Sequence, residues 1–356
     1  MKFGIALVTE PKSVEVVQRA EDLGFHRVWF YDSQLLCSDP FVVMALCAKA
    51  TRKIRLATGV LIPSNRIAPV AANAFATLNA LAPGRIDCGV GTGFTARRTM
   101  ALGAMKLSDM IEYVRVMREL WSGKTVSASV EGREPRKLRF INQPPRFACF
   151  DLAHPISVHI SAFAPKGRRL TAESADGWID FVFGVEGAIA DLRKLDADCK
   201  VIGRDPNTLW KTGFTLGCVL QDGEASDSPR ARAQAGPQAI VILHNAVESE
   251  ERGSPLTLPP TLQPALQAYR KIYQGFPRDE RHLLLHEGHL THVRPEEEAF
   301  LNSEFLRAVT MTGTRNEIRH RIATLEAGGF HEIAIQLVPG QEAALEQWAE
   351  VLGTRG

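Results

Sequence analysis

Short, nearly continuous apolar runs alternate along the chain with longer stretches that are apolar on one side only. Eight runs predict strands, at residues 3–8, 27–31, 54–60, 85–90, 156–161, 178–183, 211–219 and 332–338. Several are apolar at almost every position, which is the pattern of parallel strands covered on both faces. The intervening stretches read as helices. Over 106–121, Ile111, Val114, Met117 and Leu120 recur on one side; over 315–327, Ile318, Ile322 and Leu325 do the same. The second of these has a capping box, Thr314 with Glu317, and a Gly328-Gly329 stop. Eight strand–helix alternations in this order predict an α/β chain closed into a (β/α)8 TIM barrel.

Two gaps exceed a simple crossover. Residues 123–155 follow the fourth strand and are rich in Arg, Pro and Gly; residues 221–311 follow the seventh. Excursions of this length in a compact fold serve as lids or packing extensions. No composition shift marks a boundary, so residues 1–356 read as one domain carrying two insertions.

Composition narrows the function classes. A net charge of +2 gives no basic surface for nucleic acid or an anionic membrane. The charge-free stretch 67–84 has membrane-spanning length, but Pro69, Asn73, Asn79 and Pro83 mark it as a buried helix. Met1 leads directly into an apolar strand without a basic leader, and the expectation is a soluble, cytoplasmic protein. Six cysteines (37, 47, 88, 149, 199 and 218) are scattered without a C-x-x-C pair, as expected of buried thiols in a reducing compartment.

Candidate chemistry lies where strands end, because a barrel of this kind carries its site at the strand C-termini. The third run, LATGVL (56–61), and the fourth, RIDCGVGTG (85–93), both close on glycine, which lets backbone approach a ligand. Asp32 and Ser33 end the second run. Asp32 reads as a ligand contact or as a brace for its loop, while Ser33 cannot shuttle a proton at neutral pH. His159 shares one face of the fifth run with Ser157 and Ser161, and is a general acid, a ligand contact or a hydrogen-bonded core histidine. Four histidines (282, 286, 289 and 292) cluster in HLLLHEGHLTH inside the second insertion. In a helix, His282, His286 and His289 would share a face, but Gly288 disfavours that helix and H-E-x-x-H is absent. His286 and His289 are the candidates for substrate contact or proton transfer there, against a loop-stabilising role, and no metal is assigned.

Six segments, in order and spacing, carry a resemblance: AEDLGFHRVWFYDS (20–33), TRKIRLATGVLIP (51–63), LAPGRIDCGVGTG (81–93), KLSDMIEYVRVMRELWSG (106–123), ESADGWIDF (173–181) and MTGTRNEIRHRIATLEAGGFHEIAI (311–335). Together they resemble the bacterial luciferase-like superfamily of flavin- and deazaflavin-dependent barrels, and within it the methylenetetrahydromethanopterin reductase branch. The resemblance implies an isoalloxazine or deazaflavin ring over the barrel mouth. It implies a cis peptide between Gly59 and Val60 against one face of that ring, with Gly91, Thr92 and Gly93 alongside. It puts the cofactor phosphate after the fifth strand, at Ser161, Ala162, Phe163, Ala164, Lys166 and Gly167, where a helix starting near Pro165 adds its positive end. It also suggests a homodimer formed through helices flanking the early strands.

Ser33, Phe94 and the Phe163-Ala164 pair depart from the patterns of the branch's dehydrogenases and reductases, and Phe94 suits an apolar pocket wall. The resulting expectation is a monooxygenase using reduced FMN on a small organic substrate, with a separate flavin reductase as a candidate partner. The alternative is a hydride-transferring enzyme using the deazaflavin coenzyme F420. A metal-dependent hydrolase on the same barrel, resting on the 282–292 histidines, and a relative that has lost its cofactor are the remaining readings.

Overall fold

Each of the eight apolar runs forms a strand in the computed structural model, which describes residues 1–130, 132–144, 146, 148–253 and 255–354. They are β1 (Lys2–Leu7), β2 (Arg27–Phe30), β3 (Arg55–Leu61), β4 (Ile86–Val90), β5 (Ser157–Ser161), β6 (Gly177–Phe181), β7 (Trp210–Thr215) and β8 (Glu332–Leu337). All pair in parallel, each with its sequence neighbours, and β8 closes the barrel onto β1. The expected (β/α)8 barrel is therefore the architecture.

Two sequence expectations are corrected. The seventh run does not continue to residue 219. At Leu216–Cys218 the chain leaves the barrel, and Met311 N bonds Leu216 O at 2.7 Å. Val219–Leu220 then pairs with Gly313–Thr314 in a separate two-stranded ladder. On the helix Leu107–Trp121, the buried side is Met110, Tyr113, Val114, Met117 and Leu120, and Ile111 faces solvent. Its neighbours on the apolar stripe satisfy the packing without it. The helix Arg315–Gly328 has the expected capping box: Thr314 N donates to Glu317 at 2.8 Å, and Gly329 ends the helix in the left-handed region.

The barrel interior is layered. At its floor, Arg27 reaches Asp87 at 3.0 Å and Glu332 at 2.5 Å, while Arg55 reaches Asp87 at 2.6 Å. Trp29 and Trp210 both donate their indole N–H to Glu332 at 3.0 Å. Charges in otherwise apolar strands are thus explained: they pair with each other where water is excluded. Above them lies an apolar layer of Ala6, Trp29, Ala57, Ile179, Phe214 and Ala334. The strand C-termini open above that layer.

The first insertion contributes a short hairpin, Val126–Ala128 with Arg136–Leu138. The second contributes the helices Pro229–Ala239, Val241–Glu251, Gln263–Gly275, Arg281–Leu284 and Ser303–Val309. These have an apolar core of their own, including Leu243, Leu266, Tyr269 and Phe305. Glu297 is buried among them and accepts from Tyr269 Oη at 2.8 Å and Arg294 Nη2 at 2.6 Å, with His244 Nε2 at 2.7 Å. The insertion is anchored to the barrel mouth rather than hanging from it, as the site below shows.

Candidate functional site

The ends of β3, β4 and β5 converge. The peptide bond Gly59-Val60 is cis, as the resemblance implied. The β3–β4 register slips there: Thr58 opposes Cys88, but Leu61 opposes Val90. This bulge turns Val60, half-buried, onto the apolar barrel layer. Gly91 sits across from it, and a Cβ at Gly91 would lie 2.9 Å from Val60 Cγ2 and 3.7 Å from Ser161 Cβ. Only a residue without a side chain lets these three strand ends approach this closely. Thr92 O accepts from Met105 N at 2.9 Å, which ties the turn down, and Gly93 leads in the left-handed conformation into the short helix Phe94–Arg98.

Beyond β5 the chain passes through Ala162, Phe163 and Ala164 into the helix Pro165–Ser174. Trp178 Nε1 donates to Ala162 O at 2.9 Å, and Gly167 packs under the Ala162 methyl, so the turn is fixed from below. No side chain among the described residues caps the helix, which leaves its first N–H groups open to an anion, and Lys166 is exposed beside them. Arg168 is committed to Phe163 O at 2.6 Å. Phe163, 52% exposed, lies 5.8 Å from Phe181, which stacks on Phe183 at 6.2 Å. This turn therefore offers free backbone donors, one free ammonium and an aromatic flank, which suits a phosphate-bearing cofactor with a planar ring.

Asp32 is buried, and its Oδ2 accepts from Ile62 N at 2.9 Å. It grips the backbone just past the cis bond. Burial raises its pKa, and the bonds from Ile62 and Asn65 work against that rise. His159 lies deeper than the mouth, with its ring edge-on to Trp29 at 5.3 Å. Neither ring nitrogen has a partner among the described residues, and burial together with Arg27 pushes its pKa down to about 3. Phe94 opens the short helix after β4. It is exposed, and the guanidinium of Arg98 lies 3.0 Å from its ring centroid.

The helix at Arg281–Leu284 stops before the histidine spacing can act, so His282 does not share a face with the others. His286 and His289 are both buried, with ring centroids 5.5 Å apart. His286 Nε2 is 3.4 Å from Glu248, and Glu248 also pairs with Arg98 from the turn after β4. Burial, with His286 nearby, holds the pKa of His289 well below its ordinary value. Among the described residues, no group of three or more His, Cys, Asp or Glu is placed to hold a metal ion.

Several residues at this end of the barrel went unread in the sequence. Tyr31 Oη donates to Gln336 Oε1 at 2.8 Å, and Gln238 of the insertion bonds the same oxygen. Arg98 and Glu248 form a buried ion pair between the β4 turn and the insertion. Leu290 reaches from the insertion onto the apolar barrel layer. The alternation of β2 and β8 carries a signal for Tyr31 and Gln336, which point inward like Trp29 and Ala334. Nothing local marks the others, whose partners lie on distant segments.

A family model described as luciferase-like monooxygenase matches residues 1–332. The chain is 30% identical over 249 residues to the F420-dependent hydroxymycolic acid dehydrogenase of Mycobacterium tuberculosis (strain ATCC 25618 / H37Rv), covering 65% of this chain and 67% of that one. It is 31% identical over 206 residues to the 5,10-methylenetetrahydromethanopterin reductase of Archaeoglobus fulgidus, covering 54% of this chain and 59% of the relative. The chain thus spans about half to two thirds of the length of such curated relatives. The coenzyme F420 dependent tetrahydromethanopterin reductase from Methanopyrus kandleri superposes with a TM-score of 0.72 at 19% identity, over 100% of this chain and 99% of that one, a likeness of fold. No helix among the described residues is long and apolar enough to cross a membrane.

Proposed function

The chain belongs to the luciferase-like monooxygenase family, and on that premise we propose that it is a coenzyme F420-dependent dehydrogenase or reductase. The observation that carries this reading is the 30% identity to an F420-dependent dehydrogenase over two thirds of that protein's length. It favours the deazaflavin alternative over the reduced-FMN monooxygenase expected from Ser33, Phe94 and the Phe163-Ala164 pair.

The residues present fit such a group. Gly59, Val60, Gly91, Thr92 and Gly93 form a close-packed backbone wall for a planar ring. Ser161, Ala162, Phe163, Ala164, Lys166 and Gly167 surround the uncapped helix start, which suits a phosphate. When bound, the deazaflavin exchanges a hydride with a substrate carbon and does not react usefully with oxygen. The chain's own tasks are positioning and screening. Asp32 holds the loop after β3 through Ile62 N, and Leu290 of the insertion packs against the apolar layer at the mouth. Tyr31 Oη keeps its proton, because burial raises its pKa far above neutrality. Asp32, His286 and His289 stand as candidates for proton transfer, and of these Asp32 bonds Ile62 N, two residues past the cis peptide, while His159, buried beside Trp29 inside the barrel, reads as a core histidine. The substrate is a small molecule, and the protein acts as a homodimer in this reading.

Titrating the protein with oxidised coenzyme F420 and with FMN, followed by fluorescence, tests the proposal. F420 is expected to bind at least about tenfold more tightly, roughly 1.4 kcal/mol. Tighter FMN binding would return the monooxygenase reading, and binding of neither would remove both.

A further inference from the structure

A cavity of about 630 Å³ lies behind the end of β8, which stands opposite β4 in the ring of strands. Three elements wall it: the loop after β8, the insertion helix Pro229–Ala239 and the turn at 291–293. Its volume is that of a small-molecule site, which runs from about 300 to 1,000 Å³. None of its walls belongs to the ring or phosphate positions described above.

Pro237, Val293, Val338 and Pro339 give the cavity an apolar side. Its polar side holds one cation between two anions. Arg232 Nη2 is 3.7 Å from Asp227 Oδ2, and Nη1 is 4.0 Å from Glu298 Oε2. Both separations exceed a hydrogen bond. Arg232 Nε donates to Asp227 O at 2.9 Å, which fixes the guanidinium and leaves its two Nη groups without an acceptor among the described residues. Asp227 is held in turn by Ser303 Oγ, which donates to Oδ1 at 2.7 Å. The Glu298 carboxylate accepts no hydrogen bond from a described residue and is half exposed.

This arrangement selects among ligand charges. An anion alone would bring a third negative group beside Asp227 and Glu298. A cation alone would compete with Arg232 for the same carboxylates. A zwitterion answers both: its carboxylate takes the open Nη pair, the bidentate geometry in which arginine binds carboxylates best, and its ammonium takes Glu298. Because Arg232 lies only 4.0 Å from Glu298, the ligand's two charges must be joined through a short link. The apolar side then receives a hydrocarbon side chain.

The three walls also reach the barrel mouth. Pro237 lines the cavity, and its neighbour Gln238 bonds Gln336 Oε1. Thr291 lines it, and its neighbour Leu290 packs on the apolar barrel layer. Val338 lines it, two residues beyond Gln336. A ligand that holds these three elements together orders the mouth as well.

We propose that this cavity binds a free α-amino acid with an apolar side chain, and that its occupancy tunes the coenzyme site across the mouth. The binding site stands apart from the coenzyme F420 reading; only the coupling rests on it.

Calorimetry on the protein without coenzyme compares leucine with 4-methylpentanoate, which lacks the ammonium, and with 3-methylbutylamine, which lacks the carboxylate. Leucine is expected to bind at least about tenfold more tightly than either. Arg232→Met is expected to weaken leucine about tenfold and to leave 3-methylbutylamine within about twofold, whereas Glu298→Gln weakens leucine about fivefold and leaves 4-methylpentanoate no weaker. Thermal denaturation without ligand checks that the variants fold, and leucine is expected to raise the wild-type midpoint. Should Arg232→Met fail to fold, Glu298→Gln, at an exposed position, carries the test. No saturable binding of leucine up to about 10 mM overturns the inference. Binding of 4-methylpentanoate as tight as that of leucine, or leucine binding that the folded variants leave unchanged, overturns it too. The coupling is read by titrating F420, followed by fluorescence, with and without saturating leucine: its Kd is expected to shift about threefold, and an unchanged Kd overturns the coupling. Failure of wild type to bind F420 overturns the cofactor reading instead, and the leucine calorimetry still decides the site.

Discussion

His159 is held neutral inside the barrel, and that has a cost at low pH. Its pKa is pushed down to about 3 in the fold, against an ordinary value of 6.5 when exposed. Below 6.5 the unfolded chain takes up a proton that the folded one refuses. The stabilisation is therefore complete above about 6.5 and drains away as pH falls towards 3. His159→Gln, which keeps a neutral polar side chain, is expected to make the fall in denaturation midpoint across that window shallower; a parallel pH profile would show that the histidine is not buried in this way. The sequence left His159 open between a core residue and a proton donor. The fold settles its depth, two residues below Ser161 and against Trp29, which no strand pattern encodes. Asp32 was likewise open between ligand contact and brace. Its bond to Ile62 N makes it a brace, yet that brace sits on the cis-peptide loop, so the two roles share one place.

At the scale of elements, the turn after β4 and the insertion helix Val241–Glu251 are joined by Arg98 and Glu248. Both side chains are buried. Burial draws the Arg98 pKa down to about 10, with Glu248 opposing, so the guanidinium stays charged at neutral pH. Removing one partner strands the other. Glu248→Ala is expected to cost about 3–5 kcal/mol in chemical denaturation, whereas the double replacement Arg98→Met with Glu248→Met recovers most of it. A double-variant loss equal to the sum of the two single losses would show that the two do not interact. The strands and the capped helix Arg315–Gly328 were legible because their signals are local: apolar runs, a Thr-Glu box and a glycine stop. The end of β7 was not. The run stays apolar through 219, and only the backbone of 311–313 drawing Leu216 and Cys218 out of the barrel ends the strand.

For the whole molecule, the helices Pro40–Ala50 and Ala68–Leu81 flank β2, β3 and β4 and expose an unusual number of apolar side chains. Val42 is 62% exposed and Val70 50%, with Leu46 and Ile67 also exposed on these elements or at their margin. Apolar groups gathered in this way mark an association surface more often than a solvated one. The proposed homodimer would bury them. Light scattering is expected to give twice the mass of one 39.2 kDa chain, and Val42→Glu with Leu46→Glu to give a monomer. A wild-type monomer would instead leave the patch for another partner.

The sequence by itself determined the barrel, its strand order, the two insertions and the glycine-ended strands that border the candidate ring site. It could do so because a parallel strand buried on both faces must be apolar throughout, and a close backbone approach must be glycine, whatever surrounds them. The tertiary structure alone decided which insertion residue meets the barrel mouth, and it brings His286 and His289 together while leaving His282 apart. His282 and His286 part where the helix stops at Leu284, and the turn at Gly288 aims Leu290 inward instead. A side chain's partner across some two hundred residues depends on where both backbones arrive, and hydrophobic periodicity, which fixes faces and not destinations, holds no record of that.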